Sequence, residues 1–514
     1  MVKMGLLLLA ASGLGLAPDG PVWVEGGAPT ARAREVIKLL EQAETKGLDP
    51  ADYDGPLWAS RLAALDKRDE SGWIRFDSVL GDAVTRYVSD LRNGRANPGV
   101  YLSAGRDSET QVAELVRRHI VDAADLGAGL REIEPSFPSY WRTLRALEKY
   151  RILANDDDGE ALPAVEKPVE PGESYPGIPR LVRLLRALGD LPDEAAPPDG
   201  SPSYAAPIVT AVKRFQARHG LEVDGLIGRA TIAQLNIPLR DRVRQLELAL
   251  ERWRWLPHEF SRPPVMVNLP EFRLRALDIA LRPVLDTKII AGKARDTQTP
   301  LLAGGLSSVI FRPYWNVPYS ILRAELLPEI ARNPAYLAAN NYEVTTSRGQ
   351  VVTSSEVTAD TLTRLRSGEF LLRQVPGPKN ALGLVKFVFP NNASVYLHDT
   401  PGKSLFAKAR RDFSHACIRV ENAPEFAVWV LEGEEGWNRE RIQAAMNGSK
   451  TLEVNLKRPI PLMIAYIRAV VLESGEVRFF EDLYGYDADL EKQLSGRAGK
   501  PAITSGARGP HPRE

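Results

Sequence analysis

The stretch YLHDTPGKSLFAKARRDFSHACIRVE, residues 396–421, holds the only cysteine among the 514 residues, Cys417. Two of the six histidines, His398 and His415, lie in the same stretch. A thiol attacks carbonyl carbon only as its thiolate, and a free cysteine with a pKa of about 8.5 needs a neighbouring imidazole or a positive field to ionise near neutral pH. The clustering therefore favours a catalytic cysteine over a small buried one.

Short strands are predicted on both sides of this stretch. Residues 385–389 and 394–397 form two strands joined by a Pro-Asn-Asn turn, and residues 418–420 form a third directly after Cys417. His398 and Cys417 then both stand at strand ends, where a sheet can hold a base and a nucleophile across a cleft. The backbone amides of residues 415–417 could form an oxyanion hole, so the arrangement suits acyl transfer.

The residues alone leave several readings of this cluster open. They are a papain-like protease, a transpeptidase, a structural cluster and a metal site. A papain-like protease is disfavoured because the residues around Cys417 do not match those around the papain cysteine. His398 also precedes the cysteine, whereas the papain histidine follows far behind it. Zinc normally takes three or four ligands, and neither a second cysteine nor an HExxH motif completes a set. We therefore expect neither a metal nor an organic cofactor.

Along the rest of the chain, the spacing of apolar residues predicts a multidomain α+β protein. Apolar residues recur at helical spacing through 28–155, a predicted helical scaffold domain, and a proline-rich linker follows at 156–178. Three short helices are predicted in 179–240 and a connecting helix in 241–261. Strand patterns then dominate 262–490, with a partly helical insertion at about 320–375 that we expect to cap the site.

Composition and the two chain termini indicate which partners and which cellular location to expect. Lys plus Arg and Asp plus Glu both total 66, so no basic field points to nucleic acid. Lys3 and the apolar run 5–17 resemble a signal peptide, which makes 1–20 a signal-like segment and a possible membrane tether. A single cysteine excludes an intramolecular disulfide. The Gly-, Pro- and Ser-rich residues 491–514 read as a disordered tail.

The segment AVKRFQARHGLEVDGLIGRATIAQLN, residues 211–236, lies in the predicted three-helix unit. It closely resembles the helical peptidoglycan-binding module found in many bacterial wall enzymes. The resemblance covers about one repeat and rests on phenylalanine, Asp-Gly and glycine positions. A three-helix spacer that binds nothing is the alternative reading of the same residues.

The thiol motif carries a second resemblance. His398, a spacer of fifteen residues and then Ser-His-Ala-Cys-Ile-Arg at 414–419 resemble the motif of L,D-transpeptidases with a YkuD-type catalytic domain. Only Ala416 departs from the usual glycine, and a methyl group there matters if the backbone needs φ > 0. Further segments, including YWNVPYSIL and ERWRWLP, resemble the large multidomain periplasmic (YcbB-like) branch of this family, so the resemblance extends over about residues 30–490.

The resemblance implies a reaction and a set of site residues. Cys417 would attack the carbonyl after the L-centre of diaminopimelate in a donor tetrapeptide stem, release D-Ala, and pass the acyl group to another stem's diaminopimelate as a 3-3 cross-link. His398 matches the general base. The remaining candidates are the backbone carbonyl of Asp399 as its orienting group, Ser414, His415 and Ala416 as lining or oxyanion support, Arg419 as a brace or carboxylate ligand, and Tyr396, Trp315 and Asn316 at the border of the cleft.

Three other functions remain open at this stage. Water could resolve the same thioester, giving an L,D-carboxypeptidase, or a lipoprotein amine could resolve it in an anchoring reaction. A non-catalytic peptidoglycan-binding scaffold is the alternative of a different class, and the intact His398–Cys417 pair argues against it. In each case we expect a periplasmic protein that acts on peptidoglycan.

Overall fold

The computed structural model describes residues 21–66, 68–101, 107–192, 203–333 and 335–495. The predicted signal-like segment 1–20 and residues 496–514 of the predicted tail lie outside that description. The architecture is multidomain α+β, as predicted, with a helical N-terminal domain, a small helical module and a β-rich C-terminal domain that carries a capping insertion.

The N-terminal domain is built almost entirely from helices. Asp69 begins the longest one by accepting a hydrogen bond from the Gly72 N–H at 2.9 Å, and Gly94 follows its last turn with φ 76°. The apolar positions spaced three and four apart face the domain core, as the sequence predicts. The elements are β1 Val24–Glu25, β2 Ala28–Pro29, α1 Ala31–Glu41, α2 Trp58–Ala63, α3 Glu70–Asn93, α4 Glu109–Val116, α5 Leu126–Ile133 and α6 Pro138–Asp156, with 3-10 helices at Ala43–Lys46, Pro50–Tyr53 and Gly55–Leu57 and a π-helical turn at Arg117–Val121.

The predicted linker is not a free spacer. Residues 157–177 contain no helix and only isolated β-bridges, one of which joins Val169 to Ile227. The Leu162 N–H donates to Asn236 Oδ1 at 2.7 Å, and Asn236 Nδ2 donates back to the Leu162 carbonyl at 2.9 Å. Because its apolar residues are buried, this extended segment packs along the module that follows it.

Three short helices form the module, and a fourth leads out of it. They are α7 Ile178–Leu188, α8 Ala206–Arg218, α9 Arg229–Leu235 and the connecting helix α10 Leu239–Arg254. One apolar core joins α6, the module, α10 and part of the C-terminal domain. Arg218 shows the coupling, because it pairs with Asp190 inside the module and donates to the carbonyl of Val477 at 3.1 Å. The module is therefore built into the body of the protein.

The C-terminal domain is organised around a nine-stranded sheet in the described residues, with strand order β13-β5-β14-β12-β11-β6-β15-β3-β4. An additional pairing joins β4, the last strand in this order, to β5, the second. Its elements are β3 Val265–Asn268, β4 Arg273–Leu277, β5 Pro283–Gly292, β6 Leu302–Phe311, β7 Trp315–Asn316, α11 Tyr319–Ile321, α12 Leu327–Arg332, α13 Tyr336–Ala339, β8 Tyr342–Thr346, β9 Val351–Thr353, α14 Ala359–Ser367, β10 Phe370–Gln374, β11 Val385–Val388, β12 Leu397–His398, β13 Asp412–Ser414, β14 Ile418–Val420, α15 Ala423–Val430, α16 Arg439–Asn447, β15 Leu452–Ala465, β16 Ala469–Val471, β17 Val477–Phe479 and α17 Tyr486–Ser495.

The insertion has a sheet and a core of its own. Strands β7-β10-β8-β9 pair in that order, and α11 continues through a π-helical turn, Leu322–Leu326, into α12. Because β7 pairs with β10, the unit begins at Trp315 and not near residue 320 as predicted. A separate apolar cluster around Val344 and Leu372 holds it together.

Helix α17 changes the predicted C-terminal boundary. It crosses residue 490, so residues 491–495 of the predicted disordered tail are helical. Leu490 and Leu494 lie one helical turn apart and are both buried in the core shared by α6, the module and α10. The composition of the tail concealed this turn because its apolar residues precede the Gly- and Pro-rich part.

Candidate active site

Two neighbouring strands place the thiol and its histidine on one sheet. Strands β12 and β14 pair in parallel, with His398 opposite Arg419, and this register puts Tyr396 opposite Cys417. Because side chains alternate along a strand, these four residues project from the same face. Cys417 and His398 are therefore diagonal neighbours across two adjacent strands. The sulfur and the imidazole make no hydrogen bond to each other in this resting arrangement.

A cavity of about 620 Å³ opens above this face. Cys417 lies in it half-buried, with Sγ 3.8 Å from the Ser394 carbonyl. The three residues predicted at the border of the cleft are all at its wall, as are His415 and Ala416. The residues that line it are Asp296, Thr297, Gln298, Tyr314, Trp315, Asn316, Pro318, Ser320, Ile321, Leu382, Lys386, Ala393, Ser394, Tyr396, His415, Ala416 and Cys417.

The surroundings of the thiol favour its neutral form at rest. Burial raises the pKa of Cys417, and this effect is partly offset by hydrogen bonds from the backbone and the hydroxyl of Tyr396 and by the charges of Lys386 and Arg419. Burial raises the pKa of that hydroxyl, and the side chain of Trp315 acts in the opposite direction.

His398 is buried beside the cavity and kept neutral. Burial, followed by the positive charge of Arg419, lowers its pKa to about 3, with Lys386 acting in the same direction against the carbonyls of Asp399 and Leu382. Its Nδ1 lies 2.5 Å from the Asp399 carbonyl oxygen. Since a carbonyl only accepts, Nδ1 carries the proton and Nε2 keeps the lone pair that a base requires.

The side chain of Asp399, next to His398, is held by two polar partners. Its Oδ2 accepts the Leu384 N–H at 2.9 Å, and its Oδ1 pairs with Lys403 Nζ at 2.7 Å. The carbonyl that contacts His398 therefore belongs to a residue whose side chain is held by two partners. Gly383 allows this approach, because a Cβ at its position would lie 2.3 Å from Asp399 Oδ2.

Ala416 adopts a left-handed conformation with φ 70°. This is the backbone for which glycine is suited, so the single departure from the family motif falls on a position where a methyl group is strained, by roughly 1 kcal/mol or more. The turn is held by hydrogen bonds on both sides. Thr299 Oγ1 donates to the Ala416 carbonyl at 2.8 Å, and Ser414 Oγ donates to the Cys417 carbonyl at 2.5 Å.

These anchored carbonyls orient two backbone N–H groups. In a trans peptide the N–H points opposite to the carbonyl of the same unit. The Ala416 carbonyl points at the buried Thr299, so the Cys417 N–H points the other way. The Ser414 carbonyl accepts from the Lys293 N–H at 3.0 Å, which orients the His415 N–H likewise. Among the described residues neither N–H has an acceptor, so both are available to an anion.

Two predicted site residues take other positions than expected. Ser414 does not line the cavity; it is buried behind the turn, where its hydroxyl braces the Cys417 carbonyl. Arg419 was expected to brace the loop or to bind a carboxylate, but in the described residues it makes no hydrogen bond that would brace the loop, and its Nε is buried without a partner. Its effect is electrostatic, because it lies against His398.

His415 connects the motif to the capping insertion. Its Nε2 lies 2.6 Å from Oε1 of Glu325, a residue of the π-helical turn in the cap. Both side chains are partly exposed. Residues Pro318 and Ile321 of the same segment line the cavity, so the cap forms one wall of the site and contacts the turn that carries the thiol.

Sequence reasoning missed Thr297, Thr299 and Lys386. The threonines belong to the segment DTQTP, residues 296–300, in the loop that follows β5, and Thr297 Oγ1 donates to the Ser414 carbonyl at 3.1 Å. Lys386 lies on β11 in the register position next to His398. Two features of the sequence could have pointed to them. Lys386 interrupts the apolar strand VKFVF, and the threonines lie in a polar loop after a strand that ends in apolar residues.

Two features of the described residues bear on metal binding and on membrane insertion. In the ranges that the structure describes, no group of three or more His, Cys, Asp or Glu side chains is placed to hold a metal ion. Nor does any described helix combine the length and the apolar character that a membrane span requires.

Comparison with known families places three domains on this chain. The model of the L,D-transpeptidase catalytic domain, YkuD, matches residues 263–439, the Scaffold domain matches residues 19–147, and the "Putative peptidoglycan binding domain" matches residues 174–235. A "Putative L,D-transpeptidase" of Haemophilus influenzae is 30% identical over 250 residues, which are 48% of this chain and 49% of that protein.

Two further matches are weaker. The N-acetylmuramoyl-L-alanine amidase CwlL of Bacillus licheniformis is 30% identical over 32% of this chain and 54% of its own. The chain thus spans about half the length of the curated relatives it matches. The alignment with a crystal structure of the L,D-transpeptidase from Xylanimonas cellulosilytica covers 59% of this chain and 99% of that one at 13% identity. Its TM-score of 0.18 is too low to support a conclusion about the fold. The family models and the motif geometry agree: residues 263–439 are a catalytic domain of the YkuD L,D-transpeptidase family.

Proposed function

We propose that this protein is an L,D-transpeptidase that forms 3-3 cross-links between diaminopimelate residues of peptidoglycan. The observation that carries the proposal is the turn at Cys417. One thiol faces a cavity, two backbone N–H groups beside it have no acceptor among the described residues, and a neutral imidazole whose Nδ1 is held by the Asp399 carbonyl stands on the next strand. The match to the catalytic family model supports the same reaction.

In the first step Cys417 attacks the carbonyl that follows the L-centre of diaminopimelate in a donor tetrapeptide. The thiol and the imidazole are both neutral at rest, so the thiolate forms as the sulfur turns toward His398 and its proton passes to Nε2. An S–C bond forms, the C–N bond to D-Ala breaks, and His398 returns the proton to the leaving amine. The product is a thioester on Cys417.

The tetrahedral intermediate carries its negative charge on the former carbonyl oxygen. The N–H groups of His415 and Cys417 are the donors that would bind this oxyanion, and they are oriented before substrate arrives because the carbonyls of their peptide units are already hydrogen-bonded. Fixed donors of this kind need no reorganisation during the reaction, and the loss of one typically costs about 10²–10³ in rate.

In the second step an amine resolves the thioester. The side-chain amine of a second diaminopimelate attacks, gives its proton to His398, and forms the new amide while the sulfur leaves. Peptidoglycan is thus the proposed partner of both the catalytic domain and the helical module, and we infer a periplasmic location in which that polymer is accessible.

The test is incubation of the full chain with disaccharide-tetrapeptide, followed by mass spectrometry of products and of the intact protein. We expect D-Ala, a cross-linked dimer and a transient acyl adduct on the protein. Cys417→Ala should give none of the three, while Lys457→Met, which alters an exposed lysine of β15, should match the wild type. Release of D-Ala without dimer would assign an L,D-carboxypeptidase instead. Equal product from Cys417→Ala would overturn the mechanism.

A further inference from the structure

A lysine that has no ionic partner among the described residues lies in the cavity beside Cys417. Lys386 is half-buried on β11, lines the cavity, and shares the sheet face of Tyr396 and Cys417. Its Nζ lies 3.8 Å from the centroid of the Tyr396 ring, and this cation–π contact holds the ammonium on the side of the thiol. The charge is also close enough to Cys417 to affect its ionisation.

The structure supplies no carboxylate for this ammonium. Within the described ranges Lys386 makes no hydrogen bond and no ion pair. Of the acidic residues in the described part of the chain, only Glu453 acts on it. Glu453 lies two strands away, opposite Ile310, and accepts a hydrogen bond from the Ser308 hydroxyl. Removing an ammonium from water without a counter-charge is costly, so a site that keeps one is suited to an anionic ligand.

We infer that Lys386 binds a carboxylate of the donor stem peptide and so selects donors with a free acid next to the bond that Cys417 breaks. This inference rests on the proposed function. A tetrapeptide donor offers two such groups, the terminal carboxylate of D-Ala and the side-chain carboxylate of diaminopimelate, and both have the chemistry that an ammonium recognises.

A carboxylate bound to Lys386 would also affect His398, the proposed base. Lys386 is the register neighbour of His398, and its positive charge is one of the causes that lower the pKa of the imidazole. A bound carboxylate offsets that charge, which favours the imidazolium formed when Cys417 gives up its proton. An acidic donor would thus raise the basicity of His398 at the moment when a base is needed.

The first test needs no peptide. Cys417 is the only cysteine of the chain, so alkylation by iodoacetate and by iodoacetamide reports on this thiol alone. The ratio of the two rates cancels differences in thiolate fraction and isolates the effect of the reagent's carboxylate. We expect Lys386→Met to lower the iodoacetate-to-iodoacetamide ratio about tenfold, Lys386→Arg to preserve most of it, and the exposed control Lys457→Met to leave it unchanged. An unchanged ratio in Lys386→Met would overturn the inference.

The second test uses three tetrapeptide donors, one with both carboxylates free, one amidated at D-Ala and one amidated at the diaminopimelate side chain. Intact mass spectrometry follows the acyl adduct on Cys417. Amidation of the carboxylate that Lys386 binds should slow acylation of the wild type about tenfold and leave Lys386→Met unaffected, which also identifies the group. Equal acylation by all three donors would refute the inference. No adduct from any donor, together with the expected alkylation ratio, would overturn the proposed reaction and leave the anion site supported.

Discussion

Replacement of Thr299 by valine tests whether the oxyanion site depends on a residue that never touches substrate. Thr299 is completely buried, and its hydroxyl bridges two elements. It accepts the Gly292 N–H at the end of β5 at 2.9 Å and donates to the Ala416 carbonyl at 2.8 Å. Valine has nearly the same shape, so the change removes both hydrogen bonds while filling the same space.

The expected magnitude follows from those two bonds. Each of the two buried polar groups left without a partner costs about 1–3 kcal/mol, so we expect the free energy of unfolding to fall by about 2–6 kcal/mol. The Ala416–Cys417 peptide is then free to rotate, and the Cys417 N–H loses its fixed direction. Loss of an oxyanion donor costs about 10²–10³ in rate, and a donor that is misdirected but present should cost about tenfold to hundredfold in kcat.

The assay is acylation of Cys417 by the tetrapeptide donor, with kcat and KM measured separately. We expect kcat to fall and KM to change little, because the affected group binds the intermediate and not the ground state. Thr299→Ser keeps the hydroxyl and should restore most of the rate. Thr297→Val is the matched comparison: its hydroxyl bonds the Ser414 carbonyl, which Lys293 also holds, so its effect should be several-fold smaller.

A folded Thr299→Val protein that acylates at the wild-type rate would refute this reasoning. Urea unfolding identifies the folded fraction, so lost stability can be separated from lost catalysis. An effect on KM alone would also count against it, since a positioning residue for the oxyanion site has no reason to weaken substrate binding.

Three further predictions concern neighbouring groups. Ala416→Gly should raise the free energy of unfolding by about 1 kcal/mol in urea titrations, because glycine adopts φ 70° without strain; lower stability would contradict it. Burial depresses the pKa of His398 to about 3 from 6.5, so the unfolded chain binds the extra proton and stability falls as pH drops from 6.5 toward 3. By about pH 4.5 this loss is about 3 kcal/mol relative to neutral pH, and urea unfolding of His398→Gln should lack that share of the pH dependence. Glu325→Ala removes the contact with His415, worth up to about 1 kcal/mol, and should speed alkylation of Cys417 by iodoacetamide by up to about fivefold; an unchanged rate would exclude a role for this contact in access.

The elements that depend on local spacing were predictable. Helix α3 follows from apolar residues three and four apart with Asp69 and Gly94 at its ends, and the three helices of the module follow from similar signals. The contact between the Asp399 carbonyl and His398 Nδ1 is equally local, because the two residues are adjacent in sequence. In each case the partners lie within a few positions of one another, where sequence spacing determines which groups can meet.

The remaining differences come from contacts across the fold. The shared core that absorbs the module, the buried leucines of α17 and the strand β7 of the cap all depend on surfaces brought together from distant parts of the chain. Composition suggested an extended linker at 156–178 because of the prolines in that stretch. It could not show that the same extended chain pairs with the module.

The sequence alone indicated the family and named Cys417 and His398 as the candidate nucleophile and base, because a motif within one short stretch contains both residues. Only the tertiary structure decided that Ala416 is left-handed, that Thr299 anchors its carbonyl from 117 positions away, and that Lys386 enters the cavity without a carboxylate partner in the described chain. The physical reason is that backbone direction and unbalanced charge depend on which strands pair and in which register, and a linear spacing does not contain that information.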